Sequence, residues 1–286
     1  MTNIIILGHR GYVGKNIFNF LKKKKFNIKG FSSKEVNLIS KKSISFLQKN
    51  VKKDSILIIC AAIKSTISNE MSSLVDNNKI IENITAGIKN KKLKKVIYFS
   101  SCAIYGVHCK HSKLNEHYKF NPDTYYSLSK FYSENLLKLF VPKENLLIVR
   151  PTIVYGPNEQ IYQGSPSGYI NNFFKNKIIS IWGDGSEVRN FIFIDDLVIK
   201  IFKLIKKNIF GEIILTGKNI SYIKIIQSVK RLLKKKTKII KKKRTKKKIN
   251  KTYMSIYEKK FFNNFKTTSI LEGSKKIIKS LYKYEL

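Results

Sequence analysis

Tyr126 and Lys130 stand four residues apart in Tyr126-Ser127-Leu128-Ser129-Lys130, a spacing that sets a phenol and an ammonium on the same side of a helix. Free tyrosine has a pKa of about 10, and a cation within about 4–6 Å favours the phenolate, so Lys130 is expected to fit Tyr126 for acid–base work near neutral pH. Ser101 lies in Ser100-Ser101-Cys102-Ala103-Ile104-Tyr105-Gly106, directly after a β-rich run. A hydroxyl there, at the carboxyl end of a strand, can bond a reacting oxygen; for a lone serine, capping a turn is the simpler role. Taken with the Tyr126/Lys130 pair, catalysis is the favoured reading.

A third group bears on what these side chains would work with. Gly8-His9-Arg10-Gly11-Tyr12-Val13-Gly14 falls between a predicted strand and a predicted helix. Glycines there permit a tight turn and close approach of backbone to a pyrophosphate, while the helix N-terminus offers N–H donors and positive potential. A dinucleotide cofactor is expected. Folds that select NAD usually carry an acid about 20 residues further on, for the ribose hydroxyls. Phe31-Ser32-Ser33-Lys34 offers none at that point. Ser32, Ser33 and Lys34, with Arg10, are suited to the extra phosphate of NADP, so NADP is favoured over NAD. The alternative is that Arg10 and Lys34 are surface cations and NAD binds without an acidic contact.

These residues need a frame, and the chain alternates short β-branched runs with longer amphipathic stretches, the pattern of βαβ units on a parallel sheet. Strands are predicted at Asn3 to Leu7, Phe26 to Ser32, Ser55 to Ala61, Lys95 to Ser100 and Asn145 to Pro151, with a first helix within Lys15 to Lys25. Beyond Gly156 the pattern loosens around Gly164, Pro166 and Gly168, then turns strand-like at Phe191 to Ile194 and Glu212 to Leu215. The fold expected is α/β: a Rossmann-type doubly wound parallel sheet over 1–156, with 188–205 returning to it. A smaller C-terminal substrate-binding region takes 157–187 and 206–286.

The chain has 286 residues, of which 43% are hydrophobic, enough for a sizeable core. Its longest apolar run, Ile56 to Ile63, falls short of the about 20 residues a membrane span needs, and no basic leader precedes the first strand. Cys60, Cys102 and Cys109 show neither paired metal spacing nor a disulfide pattern, so a reducing cytoplasm is expected, with Cys60 and Cys102 as small residues on strands. His108-Cys109-Lys110-His111 holds three candidate ligands, but a structural zinc site draws on two separated pairs, and no metal is expected. The net charge of +39 thickens at 230–251, KRLLKKKTKIIKKKRTKKKINK. Such a field attracts polyanions, and an RNA- or polyanion-binding protein on a dehydrogenase-like scaffold is the rival function. Two features weigh against it: the segment has almost no aromatic residues to stack on bases, and lysines coating solvated faces explain the charge as well.

With these motifs in place the chain resembles the extended short-chain dehydrogenase/reductases, the family of nucleotide-sugar epimerases, dehydratases and ketoreductases. The likeness spans nearly the whole length. Beyond the glycine turn, the serine and the Tyr126/Lys130 pair, it rests on Ala61-Ala62, Asn83, Arg150-Pro151-Thr152-Ile153-Val154-Tyr155-Gly156-Pro157 and Gly183-Asp184-Gly185-Ser186-Glu187-Val188-Arg189-Asn190-Phe191. Thr268-Ser269-Ile270-Leu271-Glu272-Gly273 resembles the start of the family's last helix, so the chain is expected to be complete. The resemblance implies a catalytic trio of Ser101, Tyr126 and Lys130, cofactor contacts that include Ala61, Ala62 and Pro151, and a nucleotide-sugar substrate. It implies Arg189 as a grip on the nucleotide diphosphate, and a homodimer. Trp182 is a candidate for stacking on the substrate base, or equally for filling an apolar core. Where the family's dehydratases carry Asp-Glu this chain has Cys102-Ala103, so 4,6-dehydration is disfavoured; Ala103 also replaces a cysteine used in one epimerase-reductase chemistry. Ile153 stands where many members have Asn.

Overall fold

In the computed structural model the described residues are 2–106, 113–159, 165–175, 178–234, 237–243 and 248–282. Along the chain run β1 (Ile4–Leu7), α1 (Tyr12–Lys23), β2 (Ile28–Phe31), α2 (Lys42–Asn50), β3 (Ile56–Ile59), α3 (Met71–Ile88) and β4 (Lys95–Phe99). After a 3-10 turn at Cys102–Tyr105 come β5 (Lys113–Leu114), α4 (Tyr125–Phe140), β6 (Leu146–Pro151), β7 (Ile153–Tyr155), α5 (Pro166–Phe174), β8 (Ile179–Trp182) and β9 (Val188–Phe193). The rest is α6 (Ile194–Lys206), β10 (Gly211–Leu215), β11 (Lys218–Ser221), α7 (Tyr222–Leu233), β12 (Ile239–Lys242), β13 (Thr252–Tyr253), α8 (Ile256–Phe262) and α9 (Ile270–Tyr282).

Two compact units result, the first from Met1–His108, His117–Pro151 and Val198–Ile214, the second from Cys109–Glu116, Thr152–Leu197 and Leu215–Leu286. The first is built on a six-stranded sheet in the order β10-β6-β4-β3-β1-β2. Its pairs β1–β2, β1–β3, β3–β4 and β4–β6 are all parallel. Strands buried on both faces read as near-continuous apolar runs, and β1, β3, β4 and β6 are buried along their full length, with Lys95 and Arg150 the charged residues among them. Chain order reverses around β1, which has β2 on one side and β3 on the other, so a crevice opens at the carboxyl ends of β1 and β3. The Rossmann-type doubly wound sheet expected from the pattern is the fold observed.

The boundaries differ from those read in the sequence. Residues 152–156 and 188–197 belong to the second unit, because β9 pairs with β7 on one side and β11 on the other, and 206–214 belongs to the first, because β10 joins the six-stranded sheet. Strand character alone does not say which sheet a segment joins. Inside the lysine-rich stretch, β12 pairs in parallel with β8, and Lys241 and Lys242 are exposed. Among the described residues no helix is long and apolar enough to cross a membrane.

Candidate active site

The glycine turn occupies the crevice mouth. Gly8 has φ +84°, and a Cβ there would lie 2.7 Å from the amide nitrogen of Ala61, so the turn after β1 and the segment after β3 meet backbone to backbone. Gly14 is packed as tightly: a Cβ would fall 2.3 Å from the carbonyl oxygen of Gly8. Gly11 is the N-cap of α1, with no side chain bonding the helix end and no acid in the first turn. The positive end of the helix is thus left for an anion. Tyr12 and Val13 form the first turn itself.

Behind this turn the structure corrects the reading that no acid follows β2. Glu35 folds back so that its carboxylate accepts from the Ser32 amide at 2.7 Å and the Ser32 hydroxyl at 2.6 Å, and pairs with Arg10 at 3.1 Å. The Ser32 bonds, then the Arg10 charge, hold Glu35 below the usual carboxylate range. Two donors assigned to an extra phosphate, Ser32 and Arg10, are therefore already turned to a carboxylate of the chain. Ser33 is exposed, and so is Lys34, whose amide donates to Ser32 Oγ at 3.3 Å.

Ser101, Tyr126 and Lys130 are brought together by the turn after β4 and by α4. Thr124 caps α4 in a reciprocal box with Ser127, its Oγ1 accepting the Ser127 amide at 3.1 Å and Ser127 Oγ accepting the Thr124 amide at 2.9 Å. The cap fixes where the helix begins, and hence which way Tyr126 and Lys130 face. Ser101 N-caps the 3-10 turn, its Oγ accepting the Ala103 amide at 3.1 Å, and the same hydroxyl acts to lower the Tyr126 phenol. Capping and an approach to Tyr126 are thus both observed. Lys130 is buried and donates from Nζ to the Phe99 carbonyl at 2.7 Å, with its ammonium over the rings of Tyr98 and Tyr126.

Burial governs the charges of this group. Burial pushes the Tyr126 phenol up to about 12, with the Ser101 hydroxyl opposing, so Lys130 does not bring it toward neutrality as the spacing suggested. Lys130 is itself lowered to about 8 by burial, against the pull of Cys60 and Glu134. Burial raises the Cys60 thiol to about 12, so it is no thiolate. Cys102 lies in the 3-10 turn rather than on a strand, and its thiol donates to the Arg150 carbonyl at 3.3 Å. Ala61, Ala62, Asn77, Tyr98 and Ser129 line a small cleft beside Lys130, and Pro151 ends β6, buried.

Two candidates lie in the second unit. Arg189 donates to the carbonyls of Val188 at 3.0 Å and Ile249 at 2.5 Å and pairs with Glu187, so its charge is already matched. Trp182 is 58% exposed and carries the Lys242 ammonium 5.7 Å above its ring, which rules out the core-filling role. Asn83 is buried and donates to the carbonyls of Leu38 and Ile39, tying α3 to the loop after β2. The His108-Cys109-Lys110-His111 cluster lies outside the described residues; among the described ones no group of three potential ligands comes together. The sequence reading missed Glu35 and the part played by Arg150, whose fully buried guanidinium pairs with Glu134 and Glu212.

Known proteins share this fold. The chain is 28% identical over 230 residues to the GDP-6-deoxy-D-talose 4-dehydrogenase of Aggregatibacter actinomycetemcomitans, covering 78% of each. A UDP-glucose 4-epimerase from Thermotoga maritima, solved with UDP-glucose, matches its fold with a TM-score of 0.87 over 100% of both chains at 19% identity. A UDP-glucuronic acid 4-epimerase from Bacillus cereus, solved with UDP-glucuronic acid and NAD, matches with a TM-score of 0.83 at 21% identity, over 99% of this chain and 100% of that one. The profile of the NAD dependent epimerase/dehydratase family matches residues 4–216, most of the chain, and the chain belongs to that family.

Proposed function

We propose that this protein passes a hydride between a dinucleotide and a carbon of a nucleotide-activated sugar, C4 being the expected carbon, as an epimerase or a ketoreductase. The observation that carries the reading is Lys130 one turn along the helix from Tyr126 with its ammonium over the Tyr126 ring, beside the Ser101 turn at the carboxyl edge of a sheet whose glycine turn can take a pyrophosphate. When bound, the dinucleotide supplies or accepts the hydride at the nicotinamide C4. Tyr126, a phenol at neutral pH, gives its proton to the reacting oxygen on reduction and recovers it on oxidation. Ser101 hydrogen-bonds that oxygen. Lys130, an ammonium below pH 8 or so, steadies the phenolate and holds the nicotinamide ribose. Gly8, Gly11, Tyr12, Val13 and Gly14 cradle the pyrophosphate, with Ala61, Ala62 and Pro151 beside it.

Arg189 and Trp182 remain the candidates for the substrate diphosphate and base, Arg189 having to leave Glu187 to serve. With Cys102-Ala103 in place of an acid pair, 4,6-dehydration is disfavoured. Family membership also counts against polyanion binding as the main function.

Glu35 turns the cofactor choice toward NAD. A 2′-phosphate would have to displace a carboxylate that already holds Ser32 and Arg10, whereas ribose hydroxyls can donate to it. The NAD in the Bacillus cereus enzyme agrees with this. Fluorescence titration with NADH and NADPH tests it: wild type should bind NADH more tightly and Glu35→Gln should narrow the gap, while tighter NADPH binding by wild type would overturn the preference.

A second copy of the chain is the expected partner, and α3 and α4 offer the face. Met71, Val75, Tyr125, Leu128 and Tyr132 are exposed apolar side chains on these two helices, which pack on each other. A chain of +39 repels its own copies, yet apart from the buried Lys130 and Glu134 the two helices carry two acids, Asp76 and Glu82, against two lysines, Lys79 and Lys138. This near-neutral apolar face is where self-association meets the least repulsion.

A further inference from the structure

We propose that Arg150 is a positioning residue that locks the Ser101 turn and the Tyr126/Lys130 helix into one register. It touches neither Tyr126 nor Lys130. Its Nε and Nη2 donate to the two carboxylate oxygens of Glu134, at 2.9 and 2.6 Å, a forked pair that fixes a helix in rotation as well as distance. Glu134 continues the row of Tyr126 and Lys130 at four-residue steps along α4, so what orients it orients them. From the same guanidinium Nη1 donates to Tyr105 Oη at 3.0 Å, and Tyr105 closes the 3-10 turn that Ser101 caps. The backbone of Arg150 holds that turn a second time, through the Cys102 thiol.

A stability role alone explains this poorly. Arg150 and Glu134 are 0% and 1% exposed, and buried ion pairs add little net stability over apolar packing of the same volume. What a planar fork supplies is direction. One rigid group on β6 ties both halves of the proton-exchanging site, while Glu212 holds the guanidinium from β10 and pairs with Lys138 at the far end of α4 without reaching the Ser101 turn. The arm to the Ser101 turn can therefore be removed separately.

The consequence for turnover rests on the proposed function, but the geometry does not, and the experiment separates them. Tyr105→Phe removes the arm to the Ser101 turn; Glu212→Gln weakens the β10 anchor and the Lys138 pair and leaves that arm in place; each is compared with wild type by turnover, dinucleotide affinity, melting temperature and hydrogen exchange. Tyr105→Phe should lower kcat roughly tenfold to a hundredfold, with dinucleotide affinity and KM within about twofold. The amides of Ala103, Ile104 and Gly106, which close the turn, should exchange faster in it and not in Glu212→Gln. Glu212→Gln should lower the melting temperature and keep kcat within about twofold of wild type. If the two variants change kcat and exchange in step with their melting temperatures, or if Tyr105→Phe changes neither, the positioning role is overturned. If wild type binds no dinucleotide, the proposed function fails, and the exchange contrast still decides for or against Arg150.

Discussion

Tyr126 and Lys130 are both displaced from their ordinary pKa values by burial, and in directions that keep the phenol protonated and let the ammonium titrate just above neutrality. A site so arranged is poised to donate a proton. Replacing Tyr126 with Phe should cost 10²–10⁴-fold in turnover and leave dinucleotide affinity within about twofold, read by steady-state rates beside a binding titration. The Lys130 charge is present below about 8 and lost above it, where an ordinary lysine would keep it to about 10.4, so reductive kcat should fall along an alkaline limb near pH 8. Lys130→Met should be slow at all pH values and lack that limb; an unchanged limb in this variant would remove Lys130 as its source. Of these features the four-residue spacing of Tyr126 and Lys130 was legible in the sequence, but the direction of the Tyr126 shift was not, since burial is set by the fold around the helix and not by the spacing along it. Glu35 escaped notice for a related reason: it lies past the strand end, and only the 32–35 turn brings it back to Ser32 and Arg10.

Helix α4 bears most of the site, and its start is set by Thr124. Thr124→Ala should destabilise the fold by about 1 kcal/mol, the usual worth of an N-cap, seen as a lower denaturation midpoint. Arg150→Met should cost more, about 3–5 kcal/mol, because it strands the buried Glu134 carboxylate. The strands were legible as apolar β-branched runs because this sheet is covered on both faces, which makes β1 and β3 apolar at every position and leaves Lys95 and Arg150 as the charged residues of β4 and β6. The role of Arg150 was not, since its partners Glu134, Tyr105 and Glu212 are 16, 45 and 62 residues away and nothing local marks them as neighbours. The assignment of β9 and β10 to sheets failed for the same reason: pairing is a property of the fold, while the runs Phe191 to Ile194 and Glu212 to Leu215 look alike in isolation.

At the scale of the molecule, the charge of +39 predicts association of nucleotide ligands that weakens as salt rises, without making the protein a polyanion carrier. Self-association through the near-neutral α3/α4 face should appear as a dimer in sedimentation, and Leu128→Glu should shift it to monomer with the dinucleotide still bound; a wild-type monomer at micromolar concentration would discard that face. The central claim is that one chain binds a dinucleotide and uses Tyr126 to exchange the proton that accompanies the hydride. Its most direct test follows nicotinamide absorbance in single turnovers of wild type and Tyr126→Phe, mixed with NADH or NAD and a panel of UDP-, GDP- and dTDP-sugars and their 4-keto forms. Wild type should show a change with at least one sugar, and Tyr126→Phe should bind the dinucleotide without that change; equal turnover in both proteins, or no dinucleotide bound by wild type, would overturn this role of Tyr126.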